Sequence, residues 1–181
     1  MVLQFACSKA GMVLYSLDPA LAVKDPVASK KALEAALELT KANVLLSQEA
    51  GSDVNYVRLA AEVIPELRIF DFAKGVPFVT PRFPHLRFPI HTGFDQDDKA
   101  GWLLLRHMIV PSNNLDTHMV GSSVTDSTPL AGELVLDKAG VPVKLGKTLT
   151  NKQVVEKKLW PTYVSVLEKK YHEVDGIGVI F

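Results

Sequence analysis

A chain of 181 residues, 48% of them hydrophobic and 22% charged, is long enough to bury a core and too apolar for a disordered or fibrous protein. Lys+Arg and Asp+Glu both number 20, so no net field draws it to nucleic acid or anionic lipid, and no basic run interleaved with aromatics offers a nucleic-acid surface. The single cysteine, Cys7, excludes an internal disulfide and a multi-cysteine metal site, and the expectation is an inert buried thiol in an intracellular, reducing compartment.

The first 17 residues are apolar, but Lys9 interrupts them. They fall short of the roughly 20 residues of a bilayer span and show no small-residue cleavage site, so core structure is expected in place of a signal peptide or anchor. Val179-Ile180-Phe181 matches no targeting tail. Met12-Val13-Leu14-Tyr15-Ser16-Leu17, closed by Asp18-Pro19, has the near-continuous apolar character of a strand buried on both faces. Asp25-Pro26 then supplies an N-cap and a proline at the first helical position, and a helix should run to about Ala42 with Leu33, Leu37 and Thr40 on one face.

Asn43-Val44-Leu45-Leu46-Ser47 is expected as a second buried, central strand. Asp53 to Ile64 has helical spacing at Val54, Val57 and Ala61, and Pro65 stops it. Arg68-Ile69-Phe70-Asp71-Phe72 alternates like a third strand. Leu14, Leu45 and Ile69 are the expected strand centres, and the alternation of strands with helices predicts a parallel sheet with right-handed crossovers. Four prolines (Pro77, Pro81, Pro84 and Pro89) punctuate residues 74–94, which should wrap the surface with only Leu86 to Ile90 extended.

Trp102 to Ile109 is a short apolar helix candidate, and Ser112 to Pro129 is polar and loop-like. Glu133 to Asp137 and Val141 to Leu145 flank Lys138-Ala139-Gly140, which predicts a hairpin with Gly140 left-handed. A last helix should run from about Asn151 to His172, with Pro161 kinking it or opening a new one. The expected class is α/β: a small, mainly parallel sheet with flanking helices over residues 1–110, and a loop, β-hairpin and C-terminal helix forming an extension over 111–181.

The order of pieces from Phe5 to about Val110 resembles the N-terminal domain of adenylate-forming enzymes, the acyl- and aryl-CoA synthetase superfamily. Phe5-Ala6-Cys7-Ser8-Lys9-Ala10-Gly11 is similar to the family's helix end "A-x-x-x-A-G", and Asp18-Pro19 to the turn after its next strand. Lys41-Ala42-Asn43-Val44-Leu45-Leu46, then Pro65-Glu66-Leu67-Arg68, then Leu86-Arg87-Phe88-Pro89-Ile90-His91-Thr92-Gly93 follow in the family's order, and the chain starts inside that pattern. The family's phosphate loop should come next. In its place stands Gly121-Ser122-Ser123-Val124-Thr125-Asp126-Ser127-Thr128, with no second glycine, no lysine and an aspartate that would repel phosphate. The ribose-binding aspartate, the aromatic-Thr-Glu motif and the catalytic lysine have no counterpart.

Other chemistry is thinly supported. Gly146-Lys147-Thr148 lacks the earlier glycine of a P-loop, because residue 141 is Val, and reads as a solvated turn. His85, His91, His107, His118 and His172 show no metal-ligand spacing, and no G-x-S-x-G elbow supports a serine nucleophile. Asp95-Gln96-Asp97-Asp98 lacks the glycine and distal glutamate of a calcium loop and reads as a solvated turn. Trp102, Trp160 and Tyr163 suit either a protein interface or plain core packing.

The expectation is therefore a non-catalytic, acyl-CoA synthetase-like accessory or scaffold subunit of a larger assembly. It would hold no cofactor, metal or catalytic residue of its own, with other protein chains as partners, no nucleic acid and no membrane span. Trp102, Trp160 and Tyr163 are the candidate interface residues, and the mitochondrial matrix or cytosol the expected location. Two alternatives stand beside it: one chain of a split synthetase whose partner supplies the phosphate loop, and a small-ligand module for an acyl group or nucleotide.

Overall fold

A computed structural model describes residues 2–51, 53–108 and 124–168. The chain forms two compact units and passes between them more than once. One comprises Leu17–Val110 and Leu134–Leu145, the other Met1–Ser16, Pro111–Glu133 and Gly146–Phe181.

Helix α1 (Val2–Ala10) belongs to the second-named unit; helices α2 (Ala20–Lys24) and α3 (Pro26–Thr40) open the first. Asp25 caps α3 as its sequence predicts, its Oδ1 accepting from the Ala28 N–H at 2.9 Å. The buried face of α3 adds Ala28, Ala32 and Ala36 to Leu33 and Leu37, and small residues at this spacing let a neighbouring helix approach closely. That neighbour is α4 (Tyr56–Val63), whose Asn55 cap accepts from the Arg58 N–H at 2.8 Å.

The sheet of this unit is parallel and has the order β1 (Val44–Ser47), β2 (Phe88–His91), β3 (Leu103–Leu104). Leu45 pairs in register with Pro89, and Ser47 with His91. Strand alternation puts Leu45 and Pro89 toward α3 and α4, where Leu33, Leu37, Val57, Ala61, Ile64 and Trp102 form the core. Val44, Leu46, Phe88 and Ile90 lie on the opposite face, and Phe88 is 48% exposed.

Three expectations about strands are corrected. Strand β1 is half-buried and stands at an edge of the sheet, so it is not the central strand. Its apolar run reports how well its two faces are covered; which strand lies beside it depends on residues forty positions away. Residues 12–17 do not form a doubly buried strand: only Leu14 bridges, to Ala131, and Met12, Val13 and Leu17 are exposed. Residues 68–72 form no strand either. Pro65 opens a 3-10 turn (Pro65–Arg68), and Asp71 caps a second one (Phe72–Lys74) by accepting from the Ala73 N–H. These local bonds satisfy the backbone in place of a ladder, and Ile69 is left 81% exposed.

The proline-rich stretch 74–94 is more deeply anchored than expected. Phe78, Phe83 and Leu86 enter the core, and Phe70 and Phe72 meet Phe78 at 5.1 and 6.3 Å. Pro89 stands in the middle strand, where a proline costs a ladder donor. The helix expected from Trp102 begins later, at α5 (Leu105–Met108), because residues 103–104 join the sheet as β3.

The hairpin is present and longer than predicted: β4 (Pro129–Leu136) and β5 (Pro142–Thr150) form an antiparallel pair. Its turn places Gly140 at φ 82°, the left-handed conformation that glycine adopts without strain. In the other unit, α1 ends at Gly11 (φ 65°), and Leu14 exchanges backbone bonds with Leu130 and Gly132 of β4. Thr150 and Gln153 form a capping box for α6 (Asn151–Glu156), and Pro161 opens a separate helix, α7 (Pro161–Glu168). Cys7, Leu130, Leu149, Val154, Tyr163 and Val164 are this unit's core. The expected loop over 112–123 and the helix end near His172 lie outside the described residues.

Candidate functional site

The C-terminal ends of parallel strands are where open α/β sheets gather their polar groups. Here β1 leads to Glu49, and β2 ends in His91 and runs into the segment 92–102. Lys99 is almost fully buried, and its ammonium bridges two carboxylates, Glu49 at 2.8 Å and Asp95 at 2.6 Å. It also donates to the Asp97 carbonyl at 3.0 Å. Burial by itself would lower the Lys99 pKa, but the hydrogen bonds that the ammonium donates to Asp95 and Glu49 outweigh it and hold the pKa above its ordinary value. The same Lys99 bond holds the Asp95 carboxyl below the usual range.

His91 has no exposed surface. Its Nδ1 accepts from the Gly93 N–H at 3.2 Å, which leaves Nε2 as the protonated nitrogen, 3.4 Å from Gln96 Oε1. Gln96 in turn donates from Nε2 to the carbonyls of Lys99, at 2.5 Å, and Trp102, at 2.6 Å. Burial pushes His91 below its ordinary pKa, so the neutral imidazole is the resident form. Both ring nitrogens are committed, and neither is free to take a proton from a substrate. The arrangement positions a loop; it does not form an acid–base pair.

Beside this network is an open cavity of about 290 Å³. Phe72, Trp102, Leu103 and Met108 give it apolar walls, and Asp71 and His107 add polar groups. The other unit has a cavity of about 380 Å³ around Ser8, Asn151 and Tyr163. There the Ser8 hydroxyl donates to Asn151 Oδ1 and accepts from the Tyr163 hydroxyl, each at 3.0 Å. Among the described residues the Ser8 hydroxyl has these two partners and no histidine, which makes it a structural hub between α1, α6 and α7.

No protein-family model matches the chain, and neither a curated protein nor a solved structure matches it. The resemblance to adenylate-forming enzymes therefore rests on the order of its sequence pieces. Two of those pieces, 12–17 and 68–72, are not strands.

Of the three candidate interface residues, Trp102 lies in one unit and Trp160 and Tyr163 together in the other. Trp102 is 2% exposed, in the core under the sheet, with its ring edge-on to His91. Tyr163 is buried in the other unit, and half-buried Trp160 meets it edge-on at 5.7 Å. Cys7 is buried, which pushes its thiol pKa up. Gly146-Lys147-Thr148 lies within β5, where the Lys147 N–H donates to the Glu133 carboxylate at 3.2 Å, an acceptor where a phosphate loop would need donors.

Among the described residues, no group of three or more His, Cys, Asp or Glu is arranged to hold a metal ion, and no helix is long and apolar enough to cross a membrane. The Glu49–Lys99–Asp95 network was missed by sequence reasoning, which took 95–98 for a solvated turn. Lysine four residues after Asp95 was the available signal; Glu49 approaches from the segment after β1 and left none.

Proposed function

We propose that this chain is a non-catalytic accessory or scaffold subunit of a larger protein assembly, with a synthetase-like α/β unit as its base. The observation that carries this reading is β1. Among the described residues this Val-Leu-Leu-Ser strand pairs in the sheet on one side only, with β2, and it has none of the charges or prolines that usually guard a sheet edge. Phe94, 88% exposed, and Ile69 add large apolar side chains to the surface of the same unit. Covering such groups is what a partner chain does. The committed ring nitrogens of His91 and the sequence at 121–128, without lysine or second glycine, both favour a role without catalysis.

The reading places the chain with other proteins in a reducing compartment, the mitochondrial matrix or the cytosol. The test is purification from the native source at low salt, with identification of co-purifying chains, alongside ATP–pyrophosphate exchange by the purified chain over a panel of carboxylic acids. Stoichiometric structural partners and no exchange are expected. A partner carrying a phosphate loop would instead establish the split synthetase, and a chain that purifies alone would overturn the scaffold reading.

A second reading, a small-ligand module, is favoured by the cavity walled by Phe72 and Trp102. A rise in melting temperature with an acyl or nucleotide ligand, lost in Phe72→Ala, would support it.

A further inference from the structure

His91 is a fully buried base at the head of an eleven-residue crossover, 92–102, that joins β2 to β3 without a helix. Backbone bonds from Thr92 to Ser47 and from Phe72 to Ala100, and the Arg106 guanidinium on the Phe94 carbonyl, anchor this crossover at separate points, and between them one set of side chains ties its two ends together. His91 Nδ1 holds the Gly93 N–H, Gln96 holds the carbonyls of Lys99 and Trp102, and Lys99 holds Glu49 and Asp95. The far end of the crossover is Trp102, and both Gln96 and Trp102 wall the 290 Å³ cavity.

We propose that residues 92–102 form an acid-released latch, with His91 as its trigger and the cavity beside Phe72 and Trp102 as the feature whose shape it controls. The step is the uptake of one proton from solvent at Nδ1. That nitrogen now accepts from Gly93, so a proton there sets two donors face to face and breaks the bond.

The titratable groups facing His91 are Lys99, Glu49 and Asp95. The two carboxylates favour the imidazolium, but both already pair with Lys99, and the Lys99 charge opposes a second cation. Burial removes the water that would otherwise solvate that cation. The protonated ring is therefore accommodated only when the segment opens. Gln96 then loses its acceptor role toward Nε2 and its hold on the Trp102 carbonyl, and the cavity wall moves.

The sign follows from the neutral resident form. The opened state binds the proton more tightly than the closed one, so closure is favoured at neutral pH and weakens as pH falls through about 6.5, the ordinary histidine value. The proposal stands apart from the assembly reading, because it concerns one unit of the free chain.

The experiment uses the full chain carrying Trp160→Phe, which leaves Trp102 as its single tryptophan. Acrylamide quenching of Trp102 should rise about two- to fivefold between about pH 7.5 and 5 as the histidine charges. Adding His91→Asn removes the titration while keeping an oxygen to accept from Gly93, and quenching should then be flat over that range. An unchanged signal without His91→Asn, or the same rise with it, would overturn the proposal. Should His91→Asn not fold, the His91 imidazole is followed by NMR in the natural chain. Its midpoint should coincide with the quenching transition and lie below the ordinary value, and a midpoint at or above that value would equally overturn it.

Discussion

The carboxylate of Glu49 occupies the space that a side chain on Gly93 would need: a Cβ built at residue 93 overlaps Glu49 Oε2 and lies 3.0 Å from His91 Nδ1. Glycine at 93 thus lets Glu49 reach Lys99 and lets the backbone N–H reach His91 in the same few ångströms.

Gly93→Ala should swing Glu49 away from Lys99 and destabilise the fold by about 1–2 kcal/mol, since the displaced atoms belong to a flexible side chain. Gly101→Ala meets a harder obstacle, the backbone carbonyl of Leu67, and should cost about 3 kcal/mol or more. Urea midpoints of the two variants check the order; equal losses would mean that the 92–102 segment yields as easily as a side chain does.

Truncation should separate edge from core. Leu86 has no exposed surface, and Leu86→Ala should cost about 2–5 kcal/mol. Leu45 is half-buried on the edge strand, so Leu45→Ala should fall at about 1–2 kcal/mol, below the loss a central strand would give. Chemical denaturation of both variants gives the comparison, and a larger loss at Leu45 would contradict the strand order.

The three aromatic candidates should behave differently. Trp102→Ala removes a core ring and should destabilise by about 3–5 kcal/mol whether or not a partner is present. Trp160 is half-buried, and if it serves the proposed interface, Trp160→Ala should weaken assembly while circular dichroism stays unchanged. Co-purification and the spectrum are read on the same sample; assembly left intact would remove Trp160 from the interface.

Lys99 gives the alkaline limb of the stability profile. A lysine whose folded pKa is raised contributes stability that is fully present below its unfolded value of about 10.5 and is lost as pH rises through the folded value. The chain should therefore hold its denaturation midpoint up to about pH 10 and then lose it, and Lys99→Met should abolish that limb while destabilising the protein at neutral pH. Midpoints measured between about pH 7 and 11 test both statements.

Asp25→Ala should cost about 0.5–2 kcal/mol, the range for losing an N-cap that satisfies an otherwise unpaired N–H at the start of α3. Asp25→Asn, which keeps an acceptor oxygen, should restore most of it in thermal denaturation.

What the sequence determined by itself was local. Asp25-Pro26 set the start of α3, Gly140 set the hairpin turn, and Leu33 and Leu37 set a helical face, because each acts within one turn of its own backbone. Tertiary structure decided the strands. Residues 12–17 have as strong an apolar run as 44–47, yet the first stops at a single parallel bridge, Leu14 to Ala131, while the second pairs along its whole length with Phe88–His91. Residues 68–72 alternate like a strand but were taken over by Pro65 and Asp71, whose short-range turns satisfied the backbone first. The candidate site was the least legible part. Glu49, His91 and Lys99 come from separate stretches of chain, and their ion pairs and hydrogen bonds exist only once the parallel pairing of β1 with β2 brings those stretches side by side. A strand or an ion pair needs a neighbour, and which neighbour arrives is a property of the folded chain as a whole.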